Sequence, residues 1–324
     1  MSGKAEGIDA TIVVCTRNRG PALAQALDAC TRLETRTTWE LLVVDNASTD
    51  DTAEVARGFA ERHPERVRVT VEPTLGLSAA RDCGVRLARG EVVAFLDDDA
   101  EPASGWLDAY VEALREPGVL AAGGPVEPLF SGPLPAWLDE RYLPYLSVWD
   151  RGAEPHDLAY NELPRGTNMA FRREAFARVG GFDRRLGRSG RSLRSCEETE
   201  LGLRLERAGA RIVYVPAARV RHHVDASRLT PEWMAARFAA QAFSEAIVDW
   251  KHGGRPAVAR GSVRAREALT RARAAGAGTE ASRVALACAR TGRGAYWRGL
   301  LYAMVRVERW SPGDGSPNPK LSAE

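Results

Sequence analysis

Short, mostly apolar runs alternate with amphipathic segments along the first hundred residues of the chain. Each run is four or five residues long and rich in β-branched side chains, which is typical of strands buried in a parallel sheet. The runs occupy residues 11–15, 41–44, 67–71 and 92–96. The segments between them repeat apolar residues at helical spacing. This alternation predicts an α/β fold in which a mostly parallel sheet is wound with helices.

The second half of the chain is less regular but still shows short elements. Its pattern predicts helices over 104–115, 173–178 and 197–208, and strands over 166–171, 212–215 and 220–224. Thr230 is a favourable helix cap, and Pro231 suits the first helical position. They begin a long predicted helix that reaches Trp250, and beyond Gly253 and Gly254 the chain becomes rich in alanine and arginine, which predicts a helical C-terminal region.

Residues 125–164 contain seven prolines and little periodicity. The segment also contains several aromatic side chains, namely Phe130, Trp137, Tyr142, Tyr145, Trp149 and Tyr160. Long irregular segments in compact domains are usually functional or disordered, and disordered segments are poor in aromatic residues. Two interpretations are therefore open: an ordered wall of a binding cleft, or packing against the core.

The charge balance and the cysteines exclude several classes of protein. Lys and Arg total 45 against 43 Asp and Glu, and this net charge of +2 argues against a nucleic-acid partner. The five cysteines form no C-x-x-C pair, so neither a disulfide framework nor a zinc site is indicated. No apolar run resembles a signal peptide or is long enough to cross a bilayer, so we expect a cytoplasmic protein.

Three carboxylates, Asp97, Asp98 and Asp99, directly follow the apolar run 92–96. Polar clusters also follow the runs ending at Cys15 and Val44, and open α/β sheets bind ligands at the carboxyl ends of their strands. A hard divalent cation bound together with phosphates is the usual partner of such a cluster. A solvated acidic turn is the alternative, but the convergence of three polar clusters favours a site. The sequence lacks the GxGxxG and Walker motifs.

Two further positions could belong to the same site. Glu197 and Glu198 begin a predicted helix, where the helix dipole favours an ionised carboxylate, although an ordinary capped helix has the same pattern. Strand alternation places His222 on one face with Val220 and Val224, so this histidine is either a ligand or a satisfied core residue.

Eight motifs in this order resemble family-2 glycosyltransferases, which have the GT-A fold. They are residues 16–19 (TRNR), 44–50 (VDNASTD), 76–84 around Arg81, 95–99 (FLDDD), 166–169 (GTNM), 180–183 (GGFD), 197–201 (EETEL) and 220–222 (VRH). Each motif is weak alone, but their shared order is a strong signal. The resemblance covers residues from about 10 to 250.

The resemblance implies that a nucleotide-sugar is bound with Mn²⁺ or Mg²⁺. Its implied donor-binding residues are Thr16, Arg17, Asp45, Arg81, Asp97 and Asp98. Asp45 would contact the base beside Arg17, which stands where many relatives have tyrosine. Asp97 would contact the ribose, and Arg81 would approach the base or the diphosphate. A UDP-sugar is the expected donor, with GDP- and dTDP-sugars as alternatives.

The resemblance also assigns the metal ligands and the base. Asp99 would bind the metal ion that bridges the diphosphate, and His222 would help to hold that ion or the diphosphate. Glu198 stands where most relatives have aspartate in a Glu-Asp pair, the general base of the family. Glu197 is the other candidate for this role. The reaction would invert the configuration of the anomeric carbon.

These implications predict a domain organisation. We expect a flexible N-terminus (1–9) and a GT-A catalytic domain (10–225), composed of a nucleotide-sugar half (10–125) and an acceptor half (126–225). A helical region (226–310) and a flexible tail (311–324) would follow. The C-terminal helices are expected to pack against the catalytic domain. Peripheral contact with the inner face of an anionic membrane is the alternative.

The acceptor and two other functions stay open at this point. A glycan, a lipid-linked intermediate or a small molecule could accept the sugar. A sugar nucleotidyltransferase is also α/β with acidic metal ligands, but it opens with a glycine-rich loop, whereas Gly20 is the only glycine near the first turn here. A non-catalytic nucleotide-sugar or glycan-binding module would not need Glu197 and Glu198.

Overall fold

The computed structural model describes residues 7–159, 162–253, 270 and 278–306. Within these ranges the chain forms two β-sheets flanked by helices, which confirms the predicted α/β class. The predictions for residues 1–6, for Tyr160, for most of 254–277 and for the tail lie outside the described residues.

Most of the predicted elements are present, with boundaries shifted by one or two residues. The described strands are β1 (Ala10–Thr16), β2 (Trp39–Asp45), β3 (Val67–Val71), β4 (Val92–Asp97), β5 (Ala100–Pro102), β6 (Val119–Gly123), β7 (Val126–Phe130), β8 (His156–Asp157), β9 (Asn168–Arg172), β10 (Arg211–Tyr214) and β11 (Val220–Val224). The described helices are α1 (Gly20–Thr31), α2 (Thr52–Arg62), α3 (Leu77–Leu87), α4 (Trp106–Ala113), α5 (Arg173–Val179), α6 (Glu197–Arg207), α7 (Pro231–Lys251) and α8 (Glu280–Arg306).

The larger sheet has the strand order β3-β2-β1-β4-β9-β6-β10-β8. Its first four strands are parallel, β9 runs antiparallel between β4 and β6, and β10 is parallel to β6. The register pairs Thr16 with Asp45 and Cys15 with Asp97. The polar residues that end β1, β2 and β4 therefore lie along one edge of the sheet, as predicted.

A second, three-stranded sheet with the order β5-β11-β7 was not predicted from the sequence. Strand β5 has only three residues, and β7 lies in the proline-rich segment, so neither shows a clear alternating pattern. Strand β11 runs antiparallel to β5, with His222 opposite Ala100. This pairing brings the histidine next to the acidic triplet, since His223 N donates to Asp99 O over 2.8 Å.

The aromatic side chains of residues 125–164 serve mainly in packing. Trp137 and Tyr142 are buried in a cluster with residues of α7 and α8. Trp149 packs edge-to-face against Tyr214 at a ring-centroid distance of 5.2 Å. Ser147 is the one described residue of the segment that lines the candidate site. The core-packing interpretation is therefore supported over the cleft wall.

Helices α7 and α8 pack closely along each other. Thr230 caps α7 by accepting a hydrogen bond from Trp233 N, as predicted. Gly299 permits the close contact, because a Cβ at that position would lie 2.4 Å from Phe243 O. None of the described helices combines the length and the apolarity needed to cross a membrane.

Asn168 at the start of β9 joins several elements through four buried hydrogen bonds. Its Oδ1 accepts from Trp106 Nε1 (2.8 Å) and Tyr110 Oη (2.7 Å), both in α4. Its Nδ2 donates to Pro125 O (3.0 Å) and Ala218 O (2.7 Å), which precede β7 and β11. The side chain is fully buried, and of the two carbonyls that it satisfies only Pro125 O has a second donor among the described residues, Val220 N at 3.0 Å.

We predict that Asn168→Leu lowers the free energy of unfolding by roughly 3 kcal/mol or more, because it leaves several buried polar groups without partners. Chemical denaturation followed by fluorescence would measure the change. Tyr110→Phe is the matched control, since it removes one of the four bonds and should cost about 1 kcal/mol. An equal loss in both variants would contradict the joining role of Asn168.

Candidate active site

A pocket of about 430 Å³ opens at the edge of the sheet where β1 and β4 end. Nine of the ten predicted site residues line it, namely Thr16, Arg17, Arg81, Asp97, Asp98, Asp99, Glu197, Glu198 and His222. Residues that are distant in the sequence thus share one cavity, which a solvated acidic turn or an isolated helix cap would not require.

Asp45 is the predicted site residue that does not line the pocket. It is buried, and its Oδ1 accepts hydrogen bonds from Ser48 N (3.1 Å) and Ser48 Oγ (2.5 Å). The neighbouring Asn46 lines the pocket instead. In this conformation Asp45 Oδ1 orders the turn after β2, and the side chain lies beneath the pocket lining.

Asp98 is held inside the protein by polar neighbours. Its Oδ2 accepts from Thr16 Oγ1 (2.7 Å), and its Oδ1 lies 3.0 Å from Arg19 Nε. Burial, reinforced by the adjacent Asp99, raises the pKa of Asp98 to about 7 despite the Arg19 charge. These contacts tie the end of β4 to the end of β1.

Asp99 has three basic partners. Its Oδ2 lies 2.6 Å from Arg19 Nη2 and 2.9 Å from Arg228 Nη2, and its Oδ1 lies 3.3 Å from His222 Nε2. Burial alone would raise the pKa of Asp99, but these partners hold it well below its ordinary value. Asp99 is therefore an ionised carboxylate inside the pocket.

Asp97 is the most accessible member of the triplet, with a side chain that is 32 % exposed. Its Oδ2 accepts from Thr167 Oγ1 (2.7 Å), and its Oδ1 lies 3.6 Å from Arg81 Nη2. The exposed oxygen surface faces the same pocket as Asp99, so a ligand can reach both side chains.

Arg81, from α3, is buried between the two halves of the pocket. Its Nη1 donates to Glu197 Oε1 (2.6 Å), and its Nη2 donates to Gly166 O (3.0 Å). Burial would lower the pKa of Arg81, but the charges of Glu197 and Asp97 outweigh that effect and raise it. The guanidinium thus connects the start of α6 with the end of β4.

The two glutamates at the start of α6 differ in their partners. Glu197 Oε1 is paired with Arg81, whereas Glu198 forms no ion pair with a described residue; the Oε2 atoms of both glutamates are buried without a hydrogen-bond partner among the described residues. Burial, together with the neighbouring Glu197, raises the pKa of Glu198 to about 7. Cys196 is the N-cap residue and its side chain makes no capping hydrogen bond, while the Glu198 carboxyl interacts with its own backbone N–H in the first turn of the helix.

Several pocket residues were not among the predicted site residues. Arg19 lies within the first motif, and its spacing after Thr16 is a signal that could have identified it. Arg228, Trp233 and Arg237 reach the pocket from the segment after β11 and from α7, and no local pattern marks them. Arg188 comes from the glycine-rich loop before α6.

The chain offers few protein ligands for a metal ion. The described residues contain no group of three or more His, Cys, Asp or Glu side chains arranged to hold one. Asp99 and His222 are adjacent, and His222 Nδ1 is buried without a hydrogen-bond partner. A carboxylate and an imidazole fit Mn²⁺ or Mg²⁺, provided that substrate phosphates and water supply the other ligands.

Known proteins resemble this chain over most of its length. It is 27% identical over 243 residues to the glucosyl-dolichyl phosphate glucuronosyltransferase of Haloferax volcanii, covering 74% of this chain and 77% of the relative. It is 28% identical over 260 residues to the succinoglycan biosynthesis protein ExoM of Rhizobium meliloti, covering 78% and 79% of the two chains.

A solved structure resembles the fold. The mannosyltransferase of Pyrobaculum calidifontis, in complex with GDP-mannose and Mn²⁺, matches with a TM-score of 0.58 and 24% identity, over 92% of this chain and 86% of that one. The family model for glycosyl transferase family 2 matches residues 11–180, just over half of the chain. The chain therefore belongs to glycosyl transferase family 2 and is a glycosyltransferase with the GT-A fold.

Proposed function

We propose that this glycosyltransferase moves a sugar from a nucleotide-sugar to an acceptor hydroxyl with inversion, and that Glu198 is its general base. One observation carries the proposal: in the same pocket as Asp97 and Asp99, Glu198 has a buried, unpartnered carboxylate oxygen and no ion pair with a described residue, whereas Glu197 is bound to Arg81. Family membership argues against the nucleotidyltransferase and the non-catalytic binding module.

The donor would be held by the carboxyl ends of β1 and β4. Asp97 is accessible enough to accept hydrogen bonds from the ribose, and Asp99 with His222 would hold Mn²⁺ or Mg²⁺ against the diphosphate. When bound, the cation would stabilise the negative charge that develops on the leaving nucleoside diphosphate. His222, Arg228 and Arg19 all favour the ionised form of Asp99, and His222 has the largest effect of the three.

Glu198 would accept the proton of the acceptor hydroxyl as that oxygen attacks the anomeric carbon. The new C–O bond forms on the face opposite the breaking bond to the diphosphate, so the configuration inverts. A base with a pKa near 7 is well matched to neutral pH, because it is both substantially ionised and basic enough to accept the proton. Arg81 acts as a positioning residue, since it fixes Glu197 and thereby the first turn of α6.

A UDP-sugar is the first donor to test, and the GDP-mannose bound in the Pyrobaculum structure makes a GDP-sugar a close second. The Haloferax relative is named for glucosyl-dolichyl phosphate, and ExoM for succinoglycan biosynthesis. We therefore propose a lipid-linked or glycan acceptor.

A peripheral membrane contact fits such an acceptor. Trp297, Leu301, Met304 and Val305 are exposed apolar residues on one side of α8. Arg290 and Arg293 are exposed at helical spacing on the same side. A helix face that combines apolar and basic residues suits an anionic bilayer surface.

We predict that Glu198→Gln lowers turnover by ~10²–10⁴-fold, because it keeps the shape of the side chain and removes the base. Nucleotide affinity should not change. The melting temperature should stay equal or rise, since the buried carboxylate without a partner is unfavourable above its pKa. Steady-state kinetics, nucleotide titration and thermal melting test these three points.

Glu197→Gln is the matched control for this variant. It removes the charge that balances buried Arg81, so its main effect should be a lower melting temperature. In the wild type, kcat/KM should fall about tenfold per pH unit below about pH 7, where Glu198 is protonated. A large kinetic loss in Glu197→Gln with near-normal turnover in Glu198→Gln would contradict the assignment.

We predict that the binding of UDP, GDP or dTDP depends on the metal through Asp99. Removal of Mn²⁺ with EDTA should weaken the preferred nucleotide at least ~10-fold, because the diphosphate then lacks its charge partner. In Asp99→Ala, Mn²⁺ should no longer change the affinity. Isothermal titration with and without metal measures both effects, and undiminished affinity in both experiments would exclude the metal assignment.

We predict that the full chain co-sediments with phosphatidylglycerol vesicles at low salt but not with neutral vesicles, because binding needs both charge and apolar contact. Leu301→Glu should abolish sedimentation, since it places a carboxylate in the exposed apolar row. Glu61→Gln on α2 is a control surface change. Absence of wild-type binding at low salt would exclude the membrane contact.

A further inference from the structure

Positive charge in the pocket exceeds the carboxylates that could balance it. Seven arginines and five carboxylates line the cavity. Arg19, Arg81 and Arg228 form the ion pairs with these carboxylates that are described above. Arg17, Arg188 and Arg237 form no ion pair with a described residue, and Arg17 differs from the other two in its place directly after β1, at the proposed donor side.

Arg237 belongs to a polar row on the inner face of α7. Four residues of this row follow one another at helical spacing, namely Trp233, Arg237, Gln241 and Ser244. Gln241 and Ser244 contact the loop before α6, and Ser244 Oγ accepts a hydrogen bond from Ser195 N over 3.1 Å. Arg237 is only 9 % exposed. Its Nη1 lies 3.3 Å from Ser195 Oγ, while its Nε is buried without a hydrogen-bond partner among the described residues.

Arg188 lies in the glycine-rich loop opposite Arg237. Burial, followed by the charges of Arg237 and Arg228, lowers the pKa of Arg188 to about 10. Burial also lowers the pKa of Arg237. Burial is the main cause of both decreases, and only at Arg188 do neighbouring cations add to it.

The neighbouring arginine on the loop is bound differently. Arg194 also lines the pocket, but its guanidinium lies over the rings of Phe243 (4.7 Å) and Tyr302 (5.6 Å). Its charge therefore has aromatic partners within the protein. Arg188 and Arg237 have no such partners among the described residues, so their free donors are available to a ligand.

A buried guanidinium with an unused N–H is unfavourable unless a ligand supplies the acceptor. The donor diphosphate is expected near Asp97 and Asp99, whose carboxylates are proposed to bind the ribose and the cation. Arg237 lies close enough to Glu198 for their charges to interact, which places it on the side of the acceptor hydroxyl. Two guanidinium groups that form no direct ion pair with a described residue match one phosphate group, which carries up to two negative charges and accepts bidentate hydrogen bonds from arginine.

We propose that Arg188 and Arg237 form a phosphate subsite for the acceptor, so that the acceptor carries a phosphate or diphosphate close to the hydroxyl that is glycosylated. The inference rests on the proposed function of the pocket. Trp233 lines the cavity one helical turn before Arg237 and offers an apolar surface to the rest of the acceptor. The phosphate could belong to a lipid headgroup or to a soluble phosphorylated molecule.

The test saturates the full chain with Mg²⁺ and whichever of UDP, GDP or dTDP binds. Inorganic phosphate and farnesyl phosphate are then titrated by calorimetry. We expect both to bind the nucleotide-loaded protein, and Arg237→Met to weaken both by roughly 10- to 100-fold, because a charge-assisted pair is lost. Stronger binding of farnesyl phosphate than of phosphate would identify a lipid source, and equal binding a soluble one.

Arg194→Met is the matched control, since it removes the same charge from the same pocket but leaves the subsite intact. It should weaken phosphate binding much less than Arg237→Met. The melting temperature of Arg237→Met should be unchanged or higher, whereas a structural arginine would lower it on removal. Nucleotide affinity should be equal in all variants.

Three results would overturn the subsite: no phosphate binding to the nucleotide-loaded wild type, phosphate binding that nucleotide abolishes, or equal losses in Arg237→Met and Arg194→Met. The second result would assign these arginines to the donor diphosphate. Failure of every nucleotide to bind would instead contradict the proposed function. Phosphate titration of the nucleotide-free chain would then still report on the subsite.

Discussion

The structure depends on the balance of charge in one pocket. Five carboxylates from β4, the turn after it and α6 converge there, and isolated buried charges of this kind would be protonated or would destabilise the fold. Arg81 contacts Glu197 and approaches Asp97, so one side chain connects the proposed donor and acceptor sides. Arg19 similarly connects β1 with Asp98 and Asp99. The two sides of the pocket are thus coupled through ion pairs.

Elements with strong local patterns could be predicted from the sequence. The strands β1 to β4 are apolar runs of ordinary length. Parallel strands end at the same edge of a sheet, so the convergence of Thr16 and Asp97 at one edge was predictable from these runs. The strands β5, β6 and β7 have three to five residues each and contain proline, glycine or alanine. Their positions are set by pairing with distant strands, which a local pattern cannot show.

The same distinction applies to the site. Side chains at the ends of predicted strands could be identified, but Arg228 and Arg237 reach the pocket because β11 and α7 fold back over it. Asp45 shows the opposite case, since a residue at a strand end has its carboxylate bound by the following turn. Sequence position predicted which residues are near the edge, whereas the direction of each side chain depends on local hydrogen bonds.

Two carboxyl groups in the pocket have pKa values raised to about 7, and their surroundings separate their roles. Asp98 is bonded to Thr16 and Arg19, so its position is fixed and its oxygens are occupied. Glu198 keeps an unpartnered oxygen. A carboxyl group with a raised pKa binds more protons in the folded than in the unfolded state. The protonated Glu198 therefore adds to the free energy of unfolding below pH 4.5, its ordinary pKa, and this contribution is lost as the pH rises to about 7. The fold therefore tolerates an ionised Glu198 at neutral pH at a cost in stability, and such a cost is expected where a carboxylate must stay free to accept a proton.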